Sequence, residues 1–195
     1  MSLYTLALFV HVSGAIGIFG GMGAYVFGVA ALWRAQSVAE VRHLAHLIVV
    51  SGNVVAGSIV ALGLAGFYMA ATVWGIEATW LIVATISFIL LAPGGLLLIE
   101  PRIRAIIRQA RRVPDGPLPE ELAGRVRDPL LRSALSIYIA CLFGIVFLMT
   151  NKPATGNAIG AMVIAVAAGL LASFPFWRPP APKRSAEEPI SSESQ

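Results

Sequence analysis

Residues 80–112 read WLIVATISFILLAPGGLLLIEPRIRAIIRQARR, twenty residues without a charge followed by thirteen that carry five arginines. As an α-helix rising 1.5 Å per residue, an apolar run of that length covers about 30 Å, the thickness of the hydrocarbon core of a bilayer. A block of arginine at one end of such a run is held on the cytoplasmic side during insertion. This stretch therefore predicts a membrane helix and the direction in which it points.

Outward from it, four more runs reach membrane length, at about residues 3–29, 44–74, 130–149 and 156–177. The links between them are polar or turn-rich: Arg34 to Arg42, Gly75 to Thr79, and Asn151-Lys152-Pro153. Asp128 followed by Pro129 suits the N-cap and first turn of the fourth run. The predicted fold class is an all-α integral membrane protein, a five-helix transmembrane bundle over residues 1–178 with its N-terminus outside and its C-terminus cytoplasmic. With that orientation Lys152 is the one basic residue among fourteen that faces out. The expected location is the bacterial inner (cytoplasmic) membrane, crossed several times.

Composition agrees. The 195 residues are 57% hydrophobic and 12% charged, against about 25% charged in a soluble domain. The net charge of +4 sits between apolar runs, with no soluble basic face and interleaved aromatics, so nucleic acid is not an expected partner. The single cysteine, Cys141, lies in an apolar run and excludes an intramolecular disulfide. Met1 to Trp33 holds no Lys or Arg, which disfavours a cleaved signal peptide and favours a first span. The tail 179–195, rich in Pro, Ser and Glu, has too little apolar surface to fold and is expected to be a disordered cytoplasmic segment.

The long connection 100–129 reads as a cytoplasmic basic loop. Within it Ile103, Ile106, Ile107 and Ala110 recur at helical spacing among Arg102, Arg104, Arg108, Arg111 and Arg112. That pattern predicts an interfacial helix whose basic cluster faces lipid and meets anionic headgroups, or simply an orientation signal with a solvated face. Small residues spaced four apart, Gly17 with Gly21, Ser136, Ala140 and Gly144, and Ala161, Ala165 and Gly169, predict close helix contacts within the bundle or between copies.

Ionisable and amide groups inside membrane helices are costly enough to be functional candidates by default. His11 lies about 12 Å from the outer end of the first span. His46, Asn53 and Gly57 share one face of the second, with Tyr68 further along, and that polar face is expected to point inward. Lys152, Asn151 and Glu77 stand on the outer side with His11, and the four form a candidate ligand pocket in which Glu77 partners Lys152. No phosphate-cradling loop, HExxH, paired cysteines or nucleophile triad is legible, so catalytic residues stay unknown and no metal site is expected.

The stretches His11-Val-Ser-Gly14 with Gly20-Gly21, Gly66-Phe-Tyr-Met69 and Met149-Thr-Asn-Lys-Pro153 resemble those of a family of small predicted bacterial integral-membrane proteins of unknown function, distantly similar to copper-resistance D and HemJ-type membrane proteins. The resemblance covers nearly the whole chain. It implies a helical bundle, singles out His11 and Lys152, and implies haem or copper handling at second hand. The scarcity of His and Met ligands weighs against copper. The biochemical role stays undetermined at this point. The leading reading is a small non-enzymatic bundle subunit or accessory, a homo-oligomer or part of a membrane complex, with a lipid, quinone or haem-like ligand in an outward pocket. The alternatives are a haem-dependent membrane oxidoreductase and a small transporter.

Overall fold

Helices begin here where side chains satisfy the N–H groups that a helix N-terminus leaves without partners. Ser2 accepts from the Thr5 amide at 3.2 Å. Ser37 accepts from Glu40 N at 3.3 Å while the Glu40 carboxylate accepts from Gln36 N at 2.8 Å, a capping box in all but one position. Asp128 accepts from Leu130 N at 2.9 Å, with Pro129 in the first turn. These caps open α1 (Leu3–Leu32), α2 (Val38–Met69) and α6 (Pro129–Asn151).

The computed structural model describes residues 2–75 and 77–174. Its other helices are α3 (Thr79–Gly94), α4 (Glu100–Arg112), α5 (Glu120–Val126) and α7 (Thr155–Ser173). A π turn, Ala70–Trp74, ends α2, and a second, Gly95–Ile99, carries α3 into α4, so that residues 79–112 form one continuous helix. Pro93, which has no N–H to donate, precedes this wider stretch. Five helical segments are long and apolar enough to cross a membrane, and the described residues contain no strand, only an isolated bridge between Ser37 and Pro117.

Two packing units make up the bundle. In the first, α1 and α2 form an antiparallel hairpin whose seam is set by glycine. A Cβ at Gly14 would stand 2.9 Å from Leu62 Cβ, at Gly21 2.8 Å from Val55 Cγ2, and at Gly28 2.7 Å from Ile48 Cγ1. Each glycine thus admits a large α2 side chain, once every seven residues, and lets the two backbones approach. In the second unit α6 lies against both α3 and α7. Gly144 meets Ala165 and Met162, and a Cβ at Gly169 would lie 2.5 Å from Ile137 Cα. Between the units, α4 packs on α2, the Phe19 and Phe143 rings sit 5.1 Å apart, and Arg132 lies 3.7 Å over the Trp33 ring.

Two expectations change. The stretch 100–129 is no solvated loop. Ile103, Ile106 and Ala110 of α4 and Leu122 and Val126 of α5 are buried together with Leu32, Val38, Val41 and Leu131, because an amphipathic helix at this end finds an apolar partner in the α1–α2 turn rather than in lipid. The polar link 34–42 is also shorter than its charges suggest, since the Ser37 cap starts α2 at Val38 and puts Arg42 on the helix. The tail 179–195 and the end of the last run lie outside the described residues.

Candidate functional site

His11 projects from α1 across the hairpin seam, with Nδ1 3.0 Å from the Leu62 carbonyl oxygen of α2. A carbonyl only accepts, so Nδ1 carries the proton and donates, and in the neutral ring Nε2 keeps its lone pair. Gly66 makes room for the ring: a Cβ there would stand 3.1 Å from His11 Cε1 and Nδ1. With Gly14 against Leu62, the stretches His11–Gly14 and Gly66–Met69, far apart in the chain, meet on one seam. Between the same two helices lies an open cleft of about 280 Å³ lined by Leu3, Leu6, Ala7, Val10, Ala61, Leu64, Ala65 and Tyr68. Tyr68 supplies its one polar side chain.

Lys152 is placed elsewhere. It ends α6 in the left-handed conformation, φ 48°, and its Nζ lies 5.8 Å from the centre of the Trp80 ring on the first turn of α3, within cation–π range. Asn151 folds back on its own helix, donating to the Phe147 carbonyl at 3.2 Å and to Thr150 Oγ1 at 3.1 Å. Glu77, exposed in the link before α3, forms no ion pair with a described residue. Among the described residues no ion pair joins Glu77 to Lys152, and Lys152 lies over Trp80. The described contacts do not assemble the four-residue pocket either. The glycine seam turns His11 toward α2, whereas Lys152 and Asn151 belong to the α6–α7 connection.

His46 and Asn53 are exposed, so the polar face of α2 points out of the bundle rather than in. The cause is helical phase. Ile48 and Val55 fill the glycine seam, and His46 and Asn53, two positions earlier in each case, lie about 200° around the helix from them. Tyr68 is half-buried on the cleft.

The basic cluster divides. Arg102 donates to Asp128 at 3.0 Å and to the Leu98 carbonyl at 2.5 Å, and Arg104 donates to Glu100 at 2.7 Å. Arg108, Arg111 and Arg112 are exposed. An arginine that the sequence reading left in a link does more structural work than any of these. Arg42 donates through Nε to the Ala110 carbonyl at 2.9 Å, through Nη1 to Asp115 at 2.5 Å, and through Nη2 to the Val113 carbonyl. Val38 N donates to the Gly116 carbonyl at 3.1 Å and Leu118 N to the Gln36 carbonyl at 2.9 Å, so the Pro-rich segment after α4 is stitched to the α1–α2 turn. The available sequence signal was that Arg42 falls in the helical phase of Val38, Val41 and Ala45. A second group that was missed is the Tyr25 hydroxyl, buried without a hydrogen-bond partner among the described residues and within electrostatic reach of Glu100.

No group of three or more His, Cys, Asp or Glu side chains among the described residues could hold a metal. A haem does not fit the residues around His11. They offer one imidazole, no second axial ligand, and a cleft with no charged side chain to meet the propionates.

In comparisons with known proteins, a family described as "Predicted integral membrane protein (DUF2269)" matches residues 5–153, which run from α1 through α6 to the Lys152-Pro153 turn. No curated protein and no solved structure matches the chain.

Proposed function

The chain belongs to this family of predicted integral membrane proteins, and on that premise we propose that it is a non-enzymatic five-span subunit of a bacterial inner membrane, holding a hydrophobic, hydroxyl-bearing ligand at the His11 end of its α1–α2 hairpin. The distribution of charge supports an outside N-terminus and a cytoplasmic basic end, since the inverted arrangement would translocate every basic residue but Lys152.

The observation that carries the ligand reading is the His11–Leu62 hydrogen bond. It commits Nδ1 to the protein and leaves Nε2 of the neutral ring as an acceptor, one residue along α1 from Val10, which lines the apolar cleft. A quinol-class molecule has the matching chemistry, a ring hydroxyl to donate to Nε2 and an apolar tail to lie along Leu6, Ala61 and Leu64. Lys152 stays outside this site.

The test is titration of decylbenzoquinol into the purified protein in lipid nanodiscs, followed by calorimetry. Saturable binding is expected. His11→Ala should weaken it about tenfold, the loss of one buried hydrogen bond. Leu64→Trp, at a residue that lines the cleft, should weaken it as well, and Lys152→Ala should leave it unchanged. Absence of saturable binding, or wild-type affinity in both the His11 and Leu64 variants, contradicts the reading.

A further inference from the structure

Helix faces that have no helix neighbour meet acyl chains, and most such faces of this bundle are apolar. Phe9, Ile16 and Phe27 on α1, and Ile159, Val163 and Leu170 on α7, are all exposed hydrophobics. The outward face of α2 departs from this. His46, Val50, Asn53, Gly57, Val60 and Leu64 follow one another in steps of four and three, and every one of them is exposed. That is the 3.5-residue repeat of a seam between two helices. α2 packs on α1 through its opposite face and on α4 only near the basic end, so within the described chain this seam has no partner.

Asn53 sits in the middle of it, nine positions beyond Leu44, where the apolar run begins, hence about 14 Å into a hydrocarbon layer of about 30 Å. Hydroxyls at such depth can fold back on their own helix, as Ser51 does onto the Leu47 carbonyl at 2.8 Å. The Asn53 amide makes no hydrogen bond with a described residue, and an amide left unpaired in hydrocarbon costs several kcal/mol. One turn on, Gly57 has nothing within 4 Å of where its Cβ would be, leaving room for a neighbouring backbone.

We infer that α2 pairs with α2 of a second copy of this chain, parallel and about a two-fold axis normal to the membrane, with the two Asn53 amides hydrogen-bonded to each other across the seam. The occupant follows from the chemistry. An amide carries donor and acceptor together, so two identical amides on a two-fold axis satisfy each other, which a lipid tail cannot do. Copies inserted in the same direction meet in parallel and bring Asn53 opposite Asn53. In parallel two-stranded coiled coils an asparagine at a core position of the heptad fixes register by pairing in this way. The dimer goes beyond the ligand reading and does not rest on it, although Leu64 borders both the seam and the cleft, and it holds whichever way the chain faces.

The test uses the full chain in native membranes, in a Cys141→Ala background. Under mild oxidation Val50→Cys and Val60→Cys, on the seam, should give a disulfide-linked dimer, and Phe27→Cys and Ile159→Cys should stay monomeric. In bilayers of increasing lipid dilution, energy transfer between labelled copies should show Asn53→Val weakening association roughly three- to twentyfold, the range measured for hydrogen bonds between membrane helices. Asn53→Gln should keep part of the affinity and Gly57→Leu should lose it. Because these residues face away from α1, the thermal midpoint of each monomer should stay at the wild-type value, which separates lost pairing from lost fold. Equal cross-linking at seam and control positions, a cross-link only to a different polypeptide, or wild-type association of Asn53→Val would each overturn the inference.

Discussion

The two ends of the bundle are built by different physics although the same helices run through both. At the basic end Leu32, Val38, Val41, Ile106, Leu122, Val126 and Leu131 are at most 1% exposed and belong to one continuous core. At the other end the second buried cluster is three residues, Ala84, Leu148 and Ala158. Where water reaches the chain, apolar burial drives packing, and the basic end uses the devices of a soluble domain: an amphipathic α4, a capping box, ion pairs and a stitched loop. Inside lipid that drive is absent, and contact depends on small residues such as Gly14 and Gly144 that let backbones approach. The opposite end therefore has the open cleft between α1 and α2, and the basic end has a closed cap.

The comparison is sharpened most by truncating one side chain inside the cap and one on the lipid-facing surface just before it. Ile106→Ala, at 1% exposure, should cost about 2–5 kcal/mol and lower the thermal midpoint in detergent by many degrees. Leu97→Ala, 67% exposed on the helix that continues into α4, should leave that midpoint within error. Equal effects would mean that the cap is no better packed than the lipid-facing surface.

How much of this was legible beforehand follows the same division. The five runs, the Asp128-Pro129 start of α6 and the small-residue contacts on α6 and α7 could be read because length, capping and Gly spacing are local signals. The phase of α2 could not. In a helix apolar all round no stripe marks the inner face, and that face was decided by the glycines of α1, so His46 and Asn53 came out reversed. The cap was hidden for another reason. Arg42 reaches residues 68 to 73 positions away, and nothing in the local pattern joins α2 to the segment after α4. Of the candidate site, His11 and Gly66 were found as motif residues, but their meeting at Leu62 depends on the same unread phase.

Arg42→Ala gives the next largest effect. It removes three donors, two of which serve backbone carbonyls, and discounted for the exposure of Asp115 it should cost about 2 kcal/mol. The specific sign is new protease cleavage between Val113 and Pro119. Arg42→Lys should recover less than half of the loss, because one ammonium cannot reproduce the three-way planar fork. Cleavage unchanged from wild type would show that Val38 and Leu118 hold the segment without it.

The smallest effect belongs to the other end. Lys152 adopts φ 48° with a side chain, and glycine at that position removes a strain of about 1 kcal/mol. Lys152→Gly should raise the thermal midpoint slightly. A fall would mean that the cation over Trp80 outweighs the backbone strain.

The central claim, a five-span bundle with its folded basic cap in the cytoplasm, is tested most directly by labelling single cysteines in intact cells with a membrane-impermeant maleimide, in a Cys141→Ala background. Glu77→Cys and Ala154→Cys, exposed at the two links of the opposite end, should react at once, and Gly124→Cys, exposed on α5, should react only after the membrane is permeabilised. Labelling of Gly124→Cys in intact cells while Glu77→Cys and Ala154→Cys stay silent would contradict the account.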